Sequence, residues 1–242
     1  MDEEMAQSPL SSGTLAELTV ASTATIQNQL FLRGLRHTVI GSVMPLCPER
    51  AGFVGEAFTL RYIPAREDLD TVASFKNPAH PQRLAIETID AGQVLVVDSR
   101  QDGSAASAGE ILMTRLACRG AAAFVTDGSV RDSPRMAQIG LPVYASSVTP
   151  TTNLVKHHAV DMQVPIGCGG VAVFPGDIIV GDAEGVVVIP RGIAAEVAAD
   201  AAQQEKLEEF LLAKVQAGAP LPGTYPPSDE VRAEYQAHLD GK

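Results

Sequence analysis

Residues 109–144 read Gly109-Glu-Ile-Leu-Met-Thr-Arg-Leu-Ala-Cys-Arg-Gly-Ala-Ala-Ala-Phe-Val-Thr-Asp-Gly-Ser-Val-Arg-Asp-Ser-Pro-Arg-Met-Ala-Gln-Ile-Gly-Leu-Pro-Val-Tyr144. The stretch alternates in kind. Glu110–Arg119 has helical spacing and leads through Gly120 into a short apolar run, Ala121–Val125. A turn is predicted at Thr126-Asp127-Gly128, with Arg131-Asp132 just beyond the strand end. A second short helix follows, then another apolar run at Val143–Ala145. Such alternation predicts an α/β fold, where polar groups past the carboxyl ends of strands meet ligands. Gly109 and Glu110 open a helix, whose free N–H groups and dipole attract anions. A cation, a carboxylate and an anion-binding helix start thus share one supersecondary unit.

Each of these residues has a plain structural alternative. Arg131-Asp132 could be a surface ion pair beside a helix cap, since Asp132 before Ser133-Pro134 makes a plausible N-cap. In a site, arginine's planar fork holds a carboxylate through two hydrogen bonds. An aspartate suits Mg²⁺, which takes one or two protein carboxylates and keeps several waters. Glu110 is either a favourable charge in a helix's first turn or the group that orients a water for proton transfer. Asp98 and Asp102 are nearby acids with weaker claims. His157-His158 read as loop surface; on a strand the two would point opposite ways, so at most one could face a site.

Composition narrows the classes. The 242 residues are 45% apolar, enough for a buried core. Eighteen basic residues against 29 acidic give a net charge of −11, without the cationic stripe of a nucleic-acid binder. Cys47, Cys118 and Cys168 are far apart and form no zinc or disulfide framework; Cys118 reads as a core thiol. The chain does not open with a signal-peptide pattern, and its apolar stretches fall short of about 18 residues. A soluble cytoplasmic protein with no membrane and no nucleic-acid partner is the expectation. P-loop, Gly-x-Ser-x-Gly and His-Glu-x-x-His patterns are also missing from the sequence.

Outward from the central stretch, residues 1–13 read as a mobile start. Residues 14–32 have helical spacing interrupted by β-branched side chains. Ala57–Ile63 alternates as a half-buried strand, Gln82–Ile89 reads as a short helix, and Val94–Val97 as a continuous apolar strand ending in Asp98. The small, polar loop Ser99–Ala108 allows close backbone approach to a ligand. Short strands follow at Val164–Ile166, Val171–Phe174, Ile178–Val180 and Val186–Ile189, with Gly167-Cys-Gly-Gly as a turn. The longest helix spans Arg191 to about Gln216 and stops at Gly218. An extended proline-rich arm and a short helix, Ser228–Leu239, close the chain; packing of this end across a neighbour favours an oligomer. The domain boundaries expected are 1–13, 14–218 and 219–242.

Glu110, then twenty residues, then Arg131-Asp132 resembles the signature of the metal-dependent pyruvate aldolases acting on 4-hydroxy-4-methyl-2-oxoglutarate and 4-carboxy-4-hydroxy-2-oxoadipate. The same superfamily holds the regulator of ribonuclease activity A (RraA) proteins. Gly55-Glu-Ala-Phe-Thr-Leu, Gly120–Asp132, Leu141-Pro-Val-Tyr-Ala, Val148-Thr-Pro, Phe174-Pro-Gly-Asp and Gly181-Asp-Ala-Glu-Gly-Val-Val-Val-Ile-Pro are similar to its blocks, over roughly residues 14–218.

The resemblance implies a swivelling αββα sandwich, assembled as trimers or hexamers with sites between subunits. It implies that Arg131 binds the pyruvyl carboxylate and keto oxygen, and that Asp132 holds Mg²⁺ or Mn²⁺ mainly through waters. Gly109 and the amides of Glu110, Ile111 and Leu112 would cradle the ligand's anionic end. Glu110 stands where the family's water-positioning acid stands, often Asp in the aldolases. Glu208, from a neighbouring subunit's long helix, would steady the metal's waters. The implied function is a divalent-metal-dependent lyase that cleaves a 4-hydroxy-2-oxo acid to pyruvate, with oxaloacetate decarboxylation as a side activity. The alternatives are a non-catalytic regulator of a ribonuclease E-like partner, or a dehydratase of sugar-acid-derived 2-oxo acids. Arg135, where the family often has an acid, departs from the pattern, as do His157-His158 and Leu221–Pro227. Arg135 or a histidine is the candidate for a second substrate carboxylate.

Overall fold

The apolar runs pair into one nine-stranded mixed sheet. The computed structural model describes residues 10–240, so most of the expected mobile start lies outside the described residues. Helices α1 (Ser12–Val20) and α2 (Thr23–Leu32) come first, then strands β1 (Met44–Pro45) and β2 (Phe53–Pro64). Helix α3 (Pro81–Thr88), strands β3 (Gln93–Asp98) and β4 (Ala106–Ala108) and helix α4 (Glu110–Arg119) follow. Next are β5 (Ala123–Val130), α5 (Ser133–Met136), β6 (Val143–Val148), β7 (His157–Met162) and the hairpin β8 (Ile166–Cys168) with β9 (Val171–Val173). Strands β10 (Ile178–Asp182) and β11 (Gly185–Ile189) lead to α6 (Ala194–Gln216), a single turn α7 (Leu221–Thr224) and α8 (Asp229–Asp240).

The main sheet runs β1-β6-β5-β3-β2-β10-β11, parallel from β6 to β2 and antiparallel beyond. Alternation along β3 shows why. Leu95 and Val97 pack on one side with α3 and α4 residues such as Ile86, Met113 and Leu116. Val94 and Val96 pack on the other with Val125, Tyr144 and the β8–β9 residues Cys168 and Val173. A strand buried on both faces reads as an unbroken apolar run. A third cluster seals α1, α2 and α6 over β10 and β11 through Leu18, Leu30, Val197 and Ile189. Helices thus lie outside strands, as in the expected αββα sandwich.

Several expectations need correction. The helical spacing of residues 14–32 forms two helices. Ser11 Oγ accepts from Thr14 N–H and Ser22 Oγ from Thr25 N–H, so each helix has its own cap. Glu205 takes the Ser22 amide and Asp182 the Thr23 amide, which holds the break in place. The predicted turn at Thr126-Asp127-Gly128 lies inside β5. There β5 exchanges its partner β3, paired as far as Thr126, for β4, which begins opposite Ser129. The Asp127 carboxylate accepts amides from Ser99, Gln101 and Gly169 and takes the place of ladder bonds. Cys118 is exposed on α4, and the buried thiol is Cys168. The proline-rich arm bends through a tight turn in which Pro222 (ψ 122°) and Gly223 (φ 84°) are not helical, and α8 returns to its own α6, with the Tyr235 ring 5.3 Å from that of Phe210.

Candidate active site

The end of β5 and the start of α4 meet because the Arg131 amide donates to the Ala108 carbonyl at 3.1 Å. Gly109 then caps α4, and Gly120, in the left-handed region at φ 79°, ends it. Gly109 has no room for a side chain: a Cβ there would lie 2.7 Å from Asp132 Oδ2 and 2.9 Å from Arg131 Nε. Asp132 adopts φ 61° and ψ 29°, a left-handed conformation costing a non-glycine residue about 1–2 kcal/mol. Its Oδ2 accepts the Glu110 amide at 3.3 Å and lies 3.5 Å from Arg131 Nε. Oδ1 makes no hydrogen bond among the described residues. Both side chains are 44% exposed.

Gly109, Glu110, Ile111, Leu112, Arg131 and Asp132 line one cleft of about 180 Å³. The α4 amides are unequally engaged. Glu110 donates to Asp132 and Leu112 to the Gly109 carbonyl, while the Ile111 N–H has no acceptor among the described residues. The Glu110 carboxylate accepts from Arg135 Nη1 at 3.2 Å. Glu208 stands apart on α6, in a groove with Val20, Leu212 and Tyr225, and accepts from Gln204. Within one chain it does not reach the cleft.

The histidine pair is not loop surface. His157 is fully buried on β7, stacks on Tyr62 at 5.2 Å and bonds the Ala105 carbonyl through Nε2. His158 points the opposite way and bonds Asp70 at 2.8 Å. Neither lines the cleft. Asp98 and Asp102 bind local amides, of Arg100 and Gly167 and of Ser104 respectively.

Of the cleft's other walls, Ala106, Ser107 and Ala108 belong to the stretch expected to approach a ligand, here strand β4 and not loop, while the rest carried no sequence signal. Phe75, Gln82, Arg83, Ser107 and Asn153 close it from α3 and from the turns before and after the central unit. Behind it the Ser107 carbonyl accepts from Tyr62, Gln82 and Asn153, while the Ser99, Ser107 and Thr126 hydroxyls form a buried triangle with edges of 2.6, 2.9 and 3.0 Å. Burial raises the Tyr62 pKa, so its hydroxyl stays protonated.

One free carboxylate oxygen on a half-exposed aspartate suits a hydrated Mg²⁺ or Mn²⁺ completed by waters and substrate. Among the described residues no cluster of three or more His, Cys, Asp or Glu forms an all-protein cage.

The sequence model of the RraA-like family, described as Aldolase/RraA, matches residues 23–188. The chain belongs to this family. Among curated RraA-like relatives, a putative 4-hydroxy-4-methyl-2-oxoglutarate aldolase of Halalkalibacterium halodurans is 40% identical over 101 residues, 42% of this chain and 48% of that protein. A 4-hydroxy-4-methyl-2-oxoglutarate aldolase of Thermus thermophilus is 30% identical over 142 residues, 59% of this chain and 78% of the relative. The chain spans between a third and a half of the length of the first curated relatives it matches. Among solved RraA-like structures, Streptomyces coelicolor RraAS2, described as an unusual member of the RNase ES inhibitor RraA protein family, superposes with a TM-score of 0.77 at 28% identity. That match covers 85% of this chain and all of RraAS2. A Pseudomonas syringae protein at 23% identity and the same TM-score shares the RraA-like fold.

Proposed function

We propose that this RraA-like protein is a divalent-metal-dependent lyase that cleaves a 4-hydroxy-2-oxo acid by retro-aldol reaction, releasing pyruvate. The observation that carries this reading is the convergence of Arg131, Asp132 and the first turn of α4 on one cleft. Relatives named as 4-hydroxy-4-methyl-2-oxoglutarate aldolases support it at the level of the family.

Arg131 takes the substrate's C1 carboxylate and reaches its keto oxygen with the same planar fork. The Ile111 amide at the helix start meets the anionic end, joined by those of Glu110 and Leu112 as they exchange their present partners. Mg²⁺ or Mn²⁺ bound at Asp132 would supply Lewis-acid stabilisation of negative charge on the keto oxygen. Glu110 orients a water that removes the C4 hydroxyl proton. The C3–C4 pair then moves onto the pyruvyl half as an enolate, C4 becomes a carbonyl carbon, and a proton returned to C3 gives pyruvate. Arg131 opposes the charge of that enolate. Loss of CO₂ from oxaloacetate leaves the same enolate, which makes decarboxylation a side activity of the same groups. In a trimer or hexamer, Glu208 of a neighbouring copy would steady the metal's waters.

Purified protein with Mg²⁺ is expected to release pyruvate from a 4-hydroxy-2-oxo acid or from oxaloacetate, and EDTA or Arg131→Ala to abolish release. Undiminished rates in Arg131→Ala would falsify the assignment. The likeness to RraAS2 favours a second reading, a non-catalytic regulator of a ribonuclease E-like partner. That role needs neither metal nor Arg131, so the same two manipulations separate the readings.

A further inference from the structure

One wall of the cleft has polar demands that the described residues leave unmet. Arg83 is half-buried and has no carboxylate partner among the described residues. Its guanidinium carbon lies 4.5 Å from the centroid of the Phe75 ring, a cation–π contact that holds the side chain against the cleft wall. Its Nε–H is buried without an acceptor. Arg131 lines the same small cavity, so two like charges share it, and burial lowers the Arg83 pKa.

Beside it, Gln82 is 2% exposed and Asn153 7% exposed, and the amide oxygen of each has no partner. The orientation of both amides is set by chemistry. Gln82 Nε2 donates to the Ser107 carbonyl at 2.7 Å, and Asn153 Nδ2 donates to the carbonyls of Ala106 and Ser107. A flip would set oxygen against oxygen. Buried polar atoms without partners are uncommon in folded proteins, and an uncompensated half-buried cation is unfavourable. Three such groups lining one cavity mark a place built for a ligand.

We infer that Arg83 is the specificity residue of this cleft, taking the second carboxylate of a dianionic substrate whose first carboxylate sits on Arg131. The inference rests on the lyase reading for the word substrate, and on geometry alone for the binding of a dianion. The two arginines call for two anionic ends, and the Gln82 and Asn153 side chains complete a polar wall around them. Arg135, the sequence candidate for this task, is 75% exposed at its side chain and already paired with Glu110. A 4-hydroxy-2-oxo dicarboxylate satisfies the set, whereas a monocarboxylate leaves Arg83 bare.

The test compares 4-hydroxy-2-oxoglutarate with 4-hydroxy-2-oxopentanoate, which carries a methyl group in place of the second carboxylate, by pyruvate release with Mg²⁺. Wild type is expected to favour the dicarboxylate in kcat/KM by about 30-fold or more, with Arg83→Met bringing the ratio near unity through KM. Arg83→Lys, which keeps the charge and loses the fork, is expected to restore part of the ratio. Calorimetric binding of 2-oxoglutarate and 2-oxopentanoate, which the retro-aldol step does not cleave, reads the same subsite without turnover. If no pyruvate appears but Arg83→Met still erases the preference for 2-oxoglutarate, the lyase reading fails and the subsite stands. A wild type without preference between the two probes, or an Arg83→Met variant that keeps it, overturns the subsite.

Discussion

The backbone N–H of Glu110 donates to Oδ2 of Asp132 at 3.3 Å, which ties the first turn of α4 to the residue that follows β5 and Arg131. The N-terminus of a helix and a carboxylate are thereby held within one hydrogen bond of each other. The approach is possible because Gly109 between them has no side chain.

Gly109→Ala is therefore expected to impair chemistry more than folding. At φ −131° alanine is unstrained, and the atoms it meets are side-chain atoms of Asp132 and Arg131 that can swing away. Their displacement should lower kcat/KM for pyruvate release by about 100-fold. Melting should change by less than about 1 kcal/mol of stability. Full activity in this variant would mean that the observed approach of Asp132 to the helix start is immaterial.

Asp132 separates backbone strain from metal binding. Asp132→Gly relieves a left-handed φ of 61° and should melt at or above the wild-type temperature, whereas Asp132→Ala should be about 1 kcal/mol less stable than Asp132→Gly. Both should lose the Mg²⁺ dependence of pyruvate release. A glycine variant with a wild-type metal titration would remove Asp132 from the metal.

Acid should destabilise the protein through its buried histidines. The His157 pKa is lowered by burial and further by the Arg100 charge; the His80 pKa is lowered by burial and by Arg83. Above the ordinary value of 6.5 both rings are neutral in either state, and the stability is complete. As pH falls through 6.5 the unfolded chain binds protons that the folded rings refuse, so stability falls until the folded pKa values are reached. Melting followed from pH 7.5 to 5.5 should show the decline, and His157→Gln should flatten it. An unchanged slope in that variant would assign the effect elsewhere. Asp127 and Asp177, raised by burial, act with the opposite sign at more acid pH.

Gly128 is a packing position. A Cβ there would lie 2.6 Å from Ser99 Cβ and 3.0 Å from Ser107 Oγ. Gly128→Ala should cost about 3 kcal/mol by overpacking, measurable by denaturant unfolding. It should also disturb the hydroxyl triangle behind the cleft. A variant as stable as wild type would show that this layer relaxes freely.

How far local sequence reached is clearest where it succeeded and failed side by side. The helix predicted at Glu110–Arg119 has those bounds, because helical spacing and a glycine stop are properties of neighbouring residues. The turn predicted at Thr126–Gly128 became strand. Its turn-forming residues serve an exchange of strand partners, with an aspartate replacing ladder bonds from loops far away in the chain. His157 looked like surface because a polar pair beside loops normally is. Burial against Tyr62 and a bond to the Ala105 carbonyl reversed that.

By itself, the sequence determined the α/β alternation, the continuous apolar run of β3, the ends of α4 and the adjacency of Arg131 and Asp132, since each depends on residues within a turn or two. Tertiary structure decided what faces them. The sheet order brings α3, with Gln82 and Arg83, and the turn holding Asn153 to the same cleft as the end of β5. Those approaches join residues far apart in the chain through strand pairing and core packing, and the period of any one segment carries no record of them.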